Sequence, residues 1–157
     1  MSSPTNWMKK EYDDLVKKGF DWKPPVIGGP STGRAIIDDK ERIMLCANNY
    51  LSMSNHPKVK QAAIDAVKSH GAGSGSVRPI AGNMDIHNEL EDTIARFKNR
   101  EAALYYQTGF AVNSGLIPQL AGKNDSIISD QLNHGSIIDG VRLSGVKKEN
   151  RTIYAHN

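Results

Sequence analysis

A single cysteine, Cys46, is all the thiol this 157-residue chain holds, so no internal disulfide can staple it and a reducing compartment suits it. Set among mostly apolar neighbours in IMLCANNY, Cys46 reads as a small apolar residue in a strand rather than as a nucleophile. Long apolar runs are missing too. Nothing approaches the length of a membrane span, and the opening MSSPTNWMKKEYDD lacks the apolar centre of a secretory leader, so a cytoplasmic protein away from membranes is expected. Neither sign of charge dominates: 20 basic and 17 acidic residues interleave to a net +3, with no basic face to argue for nucleic acid. The pI of about 9.0 follows from that small excess and says little about partners. Apolar residues are also scarce, at 38% with a mean hydropathy of −0.50. Those values are low for a free-standing α/β domain, and fit a polar N-terminal region or an incomplete piece.

What is present is organised. WMKKEYDDLVKK at 7–18 spaces Trp7, Met8, Tyr12, Leu15 and Val16 among charges as an amphipathic helix closed by Gly19. KPPVIGGPSTGR at 23–34, with three prolines and three glycines, reads as an extended linker. Strands are expected at Ala35–Ile37 and Ile43–Cys46 about a turn at Asp38-Asp39-Lys40. Asn55-His56-Pro57 opens a helix whose stripe is Val59, Ala62, Ala63, Ile64 and Val67 and which stops at Gly71. A further helix spans about Asp85 to Asn99. The pattern then alternates: strand Ala102–Tyr106, helix Ala111–Ala121, strand Ser126–Ser129, helix Ser136–Leu143, strand Thr152–Ala155. Such alternation with short connections signals a parallel sheet with right-handed crossovers. Because the chain stops at His156-Asn157, straight after a strand, a continuation is expected: three parallel strands alone leave an uncovered edge.

Three stretches bear on chemistry. GAGSGS at 71–76 alternates its glycines but follows a helix and leads into VRPIAG. A dinucleotide fingerprint needs the reverse context, so a loop passing close to a ligand or a second subunit is the better reading. YYQTGFAVNSG at 105–115 carries a strand through Thr108-Gly109-Phe110 into a helix, where unpaired N–H groups and the helix dipole suit an anion. An ordinary strand-to-helix turn explains the position equally well. SDQLNHGS at 129–136 repeats that geometry one strand later and sets His134 on the same rim. His134 can be a base, a metal ligand or a flat ring stacked on a ligand. Metal is the weakest option, because His56, His70, His87 and His156 show no ligand spacing with it.

Taken together, CANNYLSMSNHPKV, GAGSGSVRPIAGNMDIHNELE, YYQTGFAVNSG and ISDQLNHGSIIDGVRLSG resemble the α-oxoamine synthase family of pyridoxal-phosphate-dependent acyltransferases. The resemblance runs in unbroken order over about residues 43–157. Within the family, CANNYL, SVR and NHGSIIDGVRL look closest to the glycine C-acetyltransferase (2-amino-3-ketobutyrate CoA ligase) type, with 8-amino-7-oxononanoate synthase of biotin synthesis next.

The resemblance implies an incomplete α/β chain of the aspartate-aminotransferase-like, fold type I architecture. Residues 1–45 would be an N-terminal helix, linker and short strands, and 46–157 the truncated start of the large cofactor domain with its first βαβαβ part. The implied activity condenses glycine or alanine with an acyl-CoA to an aminoketone or 2-amino-3-oxo acid, releasing coenzyme A. Pyridoxal 5′-phosphate is the implied cofactor and a homodimer the implied assembly. By the same resemblance His134 stacks on the cofactor ring, as the catalytic residue of this part, and Gly109 and Phe110 hold its phosphate. Asn48 lines the amino-acid pocket, Ser129 and Lys148 meet the acyl-CoA, and the 74–78 loop reaches the partner's site. Two departures stand out: Ser52 replaces the usual glycine of the NYLG motif, and no arginine marks the N-terminal acyl-CoA contact, Lys23 being the nearest basic residue. The family's cofactor-anchoring lysine, ring-nitrogen aspartate and carboxylate-binding arginine belong to later parts, so the missing C-terminal portion is expected to be required for catalysis. Rival readings are another fold type I enzyme, an aminotransferase or a lyase, or a truncated module that only binds.

Overall fold

The computed structural model describes residues 4–157; the first three residues of the N-terminal stretch read for a leader lie outside it. The chain falls into two compact units, one ending at Gly73 and the other spanning Ser74–Asn157.

In the first unit α1 (Asn6–Lys17) forms where the 3.6-residue spacing predicts it, and Gly19 follows at φ +71°. Its stripe, from Trp7 to Val16, is exposed. A three-stranded antiparallel sheet follows in the order β1 (Ile27–Gly28), β2 (Arg34–Ile37), β3 (Lys40–Ile43). Two expectations are corrected here. Strand β3 begins at Lys40, not Ile43, because Ile37 pairs with Lys40 across a two-residue turn. Asp38 and Asp39 both take positive φ (47° and 61°), the backbone a tight hairpin of matching twist requires. Cys46 consequently lies beyond the strand, exposed, with its thiol 3.7 Å from the Met44 sulfur. The stretch 23–34 is also not wholly a linker: Ile27–Gly28, free of proline, adds to β2, and the Asp38 carboxylate accepts from the Val26 N–H at 3.2 Å.

Helix α2 (Pro57–His70) starts as the sequence indicates. His56 is its cap, the ring Nδ1 accepting from the Lys58 N–H at 3.2 Å, and Pro57 fills the first position, where no N–H is needed. Gly71 at φ +81° ends it. A 3₁₀ turn at Met53–Asn55 packs on it within the unit, and Val59, Ile64 and Val67 stay exposed.

The second unit opens with a single π turn, Arg78–Gly82, within VRPIAG. A glycine is required there: a Cβ on Gly82 would stand 1.9 Å from the Ser76 carbonyl oxygen. Helix α3 (Asp85–Lys98) ends at Asn99 in the left-handed region. Arg78 ties the π turn to α3 with two bonds to the Glu91 carboxylate (2.5 and 3.0 Å), and its Nε donates to Asn83 at 2.9 Å.

Ala102–Tyr106, expected as a strand, forms no regular element and pairs with no strand among the described residues. The Tyr105 N–H goes instead to Glu91, at 2.8 Å. Then come α4 (Gly109–Leu120), β4 (Ile127–Asp130), α5 (Gly135–Leu143), a 3₁₀ turn at Lys148–Asn150 and β5 (Arg151–Tyr154). The parallel sheet holds two strands rather than three: β4 and β5 pair parallel from Ile127↔Arg151 to Asp130↔Tyr154, with α5 as the crossover. Four of the six buried residues of this unit, Ser136, Gly140, Ser144 and Val146, lie on or just after α5; the other two are Gly82 in the π turn and Ala95 in α3. The Arg151 guanidinium closes that end, donating to the Ser144 and Val146 carbonyls near the negative end of the helix.

Candidate functional site

The rim of the second unit is built from two helix starts. At α4, the Thr108 backbone is extended and its Oγ1 accepts from the Ala111 N–H at 3.0 Å. That cap satisfies the third helical residue. The N–H groups of Gly109 and Phe110 have no partner among the described residues and lie at the positive end of the helix dipole. Gly109 carries nothing within 4 Å of where a Cβ would stand, so the backbone is open to close approach.

At α5 the rim loop is tied at both sides. Asp130, the last residue of β4, accepts from the Leu132 N–H at 2.7 Å and meets His156 Nδ1 at 2.8 Å. The His156 contact first, then the Leu132 N–H, hold the Asp130 carboxyl below its ordinary value. Asn133 reaches back to the Ser129 hydroxyl at 3.0 Å. The loop therefore delivers His134 to the cap of α5 in a fixed place. Its Nδ1 accepts from the Ser136 N–H at 3.1 Å and lies 2.7 Å from the Ser136 hydroxyl. His134 itself is exposed.

Helix contacts show that the two starts share one end. Asn113 donates to the Ser136 hydroxyl at 3.0 Å. Four residues on, a Cβ at Gly140 would stand 2.3 Å from the Asn113 carbonyl and 2.9 Å from Ile117 Cδ1. The contacts advance from Asn113 to Ile117 along α4 as they advance from 136 to 140 along α5, so the helices run the same way. Gly109, Phe110 and His134 thus sit at one edge, with an anion-accepting backbone beside an exposed planar ring.

The other sequence-derived candidates are placed as follows. Ser129, half-buried in β4, is joined to the same loop through Asn133. Lys148 is exposed ahead of β5, at the end of the βαβ unit opposite His134. Asn48 belongs to the first unit and is exposed. Sequence reasoning missed Ser136, Asn113 and Gly140. The only trace was a small hydroxyl residue two positions after a capping histidine, a spacing at which its N–H reaches the cap. Among the described residues no three His, Cys, Asp or Glu side chains gather to hold a metal, and no helix is long and apolar enough to cross a membrane.

Comparison with known proteins adds the following. Residues 40–156 match the aminotransferase class I and II family. An 8-amino-7-oxononanoate synthase of Alkaliphilus metalliredigens is 47% identical over 150 residues, 96% of this chain and 37% of that protein. One from Thermoanaerobacter pseudethanolicus is 49% identical over 152 residues, 97% of this chain and 38% of the relative. Among solved structures, a serine palmitoyltransferase from S. paucimobilis superposes with a TM-score of 0.82 at 28% identity, over 97% of this chain and 38% of that one. The 8-amino-7-oxononanoate synthase of Francisella tularensis gives a TM-score of 0.59 at 31% identity, over 71% of this chain and 30% of that one. The chain spans little more than a third of the length of the curated relatives it matches. Its fold is that of fold type I transferases, and it belongs to the aminotransferase class I and II family, in the α-oxoamine synthase branch.

Proposed function

We propose that the chain supplies the first part of a pyridoxal-phosphate-dependent acyltransferase that joins an amino acid to an acyl-CoA and releases coenzyme A. The observation carrying this reading is the shared edge: two unpaired N–H groups at the start of α4 beside the exposed ring of His134, held at the start of α5. These residues fit the cofactor's two ends. Gly109 and Phe110 would take its phosphate, where the dipole favours negative charge and no Cβ stands in the way. His134 would lie flat on its ring and fix its tilt. When bound, the group supplies an electron sink that acidifies the α-carbon of an attached amino acid. The chain's own part is to orient that sink and to exclude other poses.

Ser129, tied to the His134 loop, is assigned to the acyl-CoA near the reacting end. Lys148, at the far end of α5, would touch only a remote part of so long a ligand. Asn48 is assigned to the amino-acid pocket, and the 74–78 loop to the site of a second copy in a homodimer. No lysine here stands in the sequence context that the resemblance gives the cofactor's covalent anchor, so the anchor is assigned to polypeptide beyond these residues, as is the rest of the catalytic set. A cytoplasmic location goes with this reading.

Two substrate pairs compete. The CANNYL and SVR motifs favour glycine with a short acyl-CoA, as in glycine C-acetyltransferase. The names of the curated relatives favour the other pair. A product called 8-amino-7-oxononanoate needs alanine, less its carboxylate, for its last two carbons and a seven-carbon dicarboxylic acyl thioester for the rest.

The test replaces the matching third of the Thermoanaerobacter relative with this chain and measures thiol release from acyl-CoA. The expected result is coenzyme A release that requires pyridoxal phosphate and one of the two substrate pairs. His134→Ala should weaken cofactor binding and slow turnover about 10²-fold or more, as loss of cofactor positioning does. A folded, cofactor-loaded chimera that turns over neither pair, or one indifferent to His134→Ala, would refute the assignment.

A further inference from the structure

We propose that Ser136, backed by Asn113, is a positioning residue that fixes the tautomer and tilt of the His134 ring. The inference deepens the stacking role given to His134 and rests on that reading only for its consequence in catalysis.

The bonding directions are determined by the donors. The Ser136 N–H can only donate, and it points at His134 Nδ1 from 3.1 Å, so Nδ1 must offer its lone pair. The Ser136 hydroxyl lies 2.7 Å from the same nitrogen and must therefore donate as well. Its oxygen is left as an acceptor, and the Asn113 amide fills it at 3.0 Å. The three groups form one directed chain, Asn113 N–H to Ser136 O–H to His134 Nδ1. Reversing it would press the Ser136 N–H against an Nδ1–H. The neutral ring therefore carries its proton on Nε2, which has no partner among the described residues and belongs to an exposed side chain.

Burial makes the chain selective. Ser136 is 2% exposed, so no water competes for its hydroxyl, and an unpaired donor there would carry its full desolvation cost. His56 supplies an internal contrast. Its Nδ1 also accepts an N–H two residues on, but that residue is Lys58, with no hydroxyl to add a second donor. Histidine thus stands at the N-cap of two helices among the described residues, and of the two only the one on the rim has a buried side-chain relay behind it.

The experiment uses the full chain with ¹⁵N-labelled histidine, at a pH where free imidazole is neutral. Long-range ¹H–¹⁵N spectra report which ring nitrogen bears the proton. The expected result for His134 is a pyridine-like Nδ1 and a pyrrole-like Nε2. Ser136→Ala should bring the two resonances toward each other, a loss of tautomer preference of about fivefold for one net hydrogen bond. Ser136→Thr, which keeps the hydroxyl, should restore the separation. Asn113→Ala should shift it the same way by less.

A wild-type ring protonated on Nδ1, or a folded Ser136→Ala chain with an unchanged spectrum, overturns the proposal. If Ser136→Ala does not fold, the wild-type and Asn113→Ala spectra decide. The tautomer is read without cofactor, so it stands apart from the stacking role. Failure of stacking would appear instead as cofactor affinity in the chimera unmoved by His134→Ala while the tautomer is as described.

Discussion

Glu91 shows how much one carboxylate can organise. It accepts two bonds from Arg78 and one from the Tyr105 N–H, and so joins the π turn, α3 and the stretch before α4. The Arg78 hydrogen bond first, then the Tyr105 N–H, bring its carboxyl down to about 2 from an ordinary 4.5. A folded-state value below the unfolded one means stability that is complete above about pH 4.5 and is lost as pH falls toward about 2. Denaturant midpoints measured across that window should fall with pH for the wild type. Glu91→Gln should start lower and show a shallower dependence, the share contributed by Asp130 remaining. Equal slopes for the two chains would refute the linkage. From sequence, Arg78 stood out as part of SVR, whereas Glu91 was one acidic residue among several on a helix. Its partners lie 13 and 14 positions away, and no periodicity reveals such a pairing.

Elements whose signals are local were legible in the sequence. Proline after a capping histidine and glycine at a helix end each act within one turn. The hairpin shifted by three residues because two aspartates, rather than the usual Asn-Gly, accept positive φ. Asp39→Gly should relieve that strain and raise stability by about 0.5–1 kcal/mol, read from the thermal midpoint. Asp38 is left alone in that test because its carboxylate holds Val26. The α4–α5 contact was not legible, since it depends on two helices meeting at one point. Gly140→Ala would push a methyl into the Asn113 carbonyl and should cost about 1–3 kcal/mol by overpacking, measured by urea unfolding. It should also broaden or shift the His134 ring resonances, because Asn113 is the residue displaced. A neutral Gly140→Ala would contradict the packing described.

At the scale of the molecule, apolar surface is unusually open. Trp22, Leu45 and Phe97 are 81%, 91% and 83% exposed, and α1 and α2 present whole apolar stripes. The alternating pattern found α4, β4, α5 and β5 but also asked for a strand at Ala102–Tyr106, where no ladder partner exists among the described residues to make one. The low hydropathy was a fair sign that little would be buried. Patches of this kind bind other surfaces. The isolated chain should therefore take up a hydrophobic dye and sediment as a concentration-dependent mixture; a dye-silent monomer at all concentrations would contradict this. Mixed with pyridoxal phosphate and borohydride, it should yield no stoichiometric adduct at any one lysine. A single labelled lysine found by peptide mapping would place the covalent anchor inside these residues after all.

The bare methylene of Gly140 has a mechanical consequence. Two helices that touch backbone to backbone at one point have a fulcrum there, and His134 is six residues up the lever, about 9 Å at the helical rise. A rocking of about 5° at the fulcrum would carry the ring by about 0.8 Å, a good part of the tolerance within which a positioned group remains useful. The absence of a side chain at residue 140 thus gauges the gap between His134 and the start of α4, where the proposed cofactor would lie.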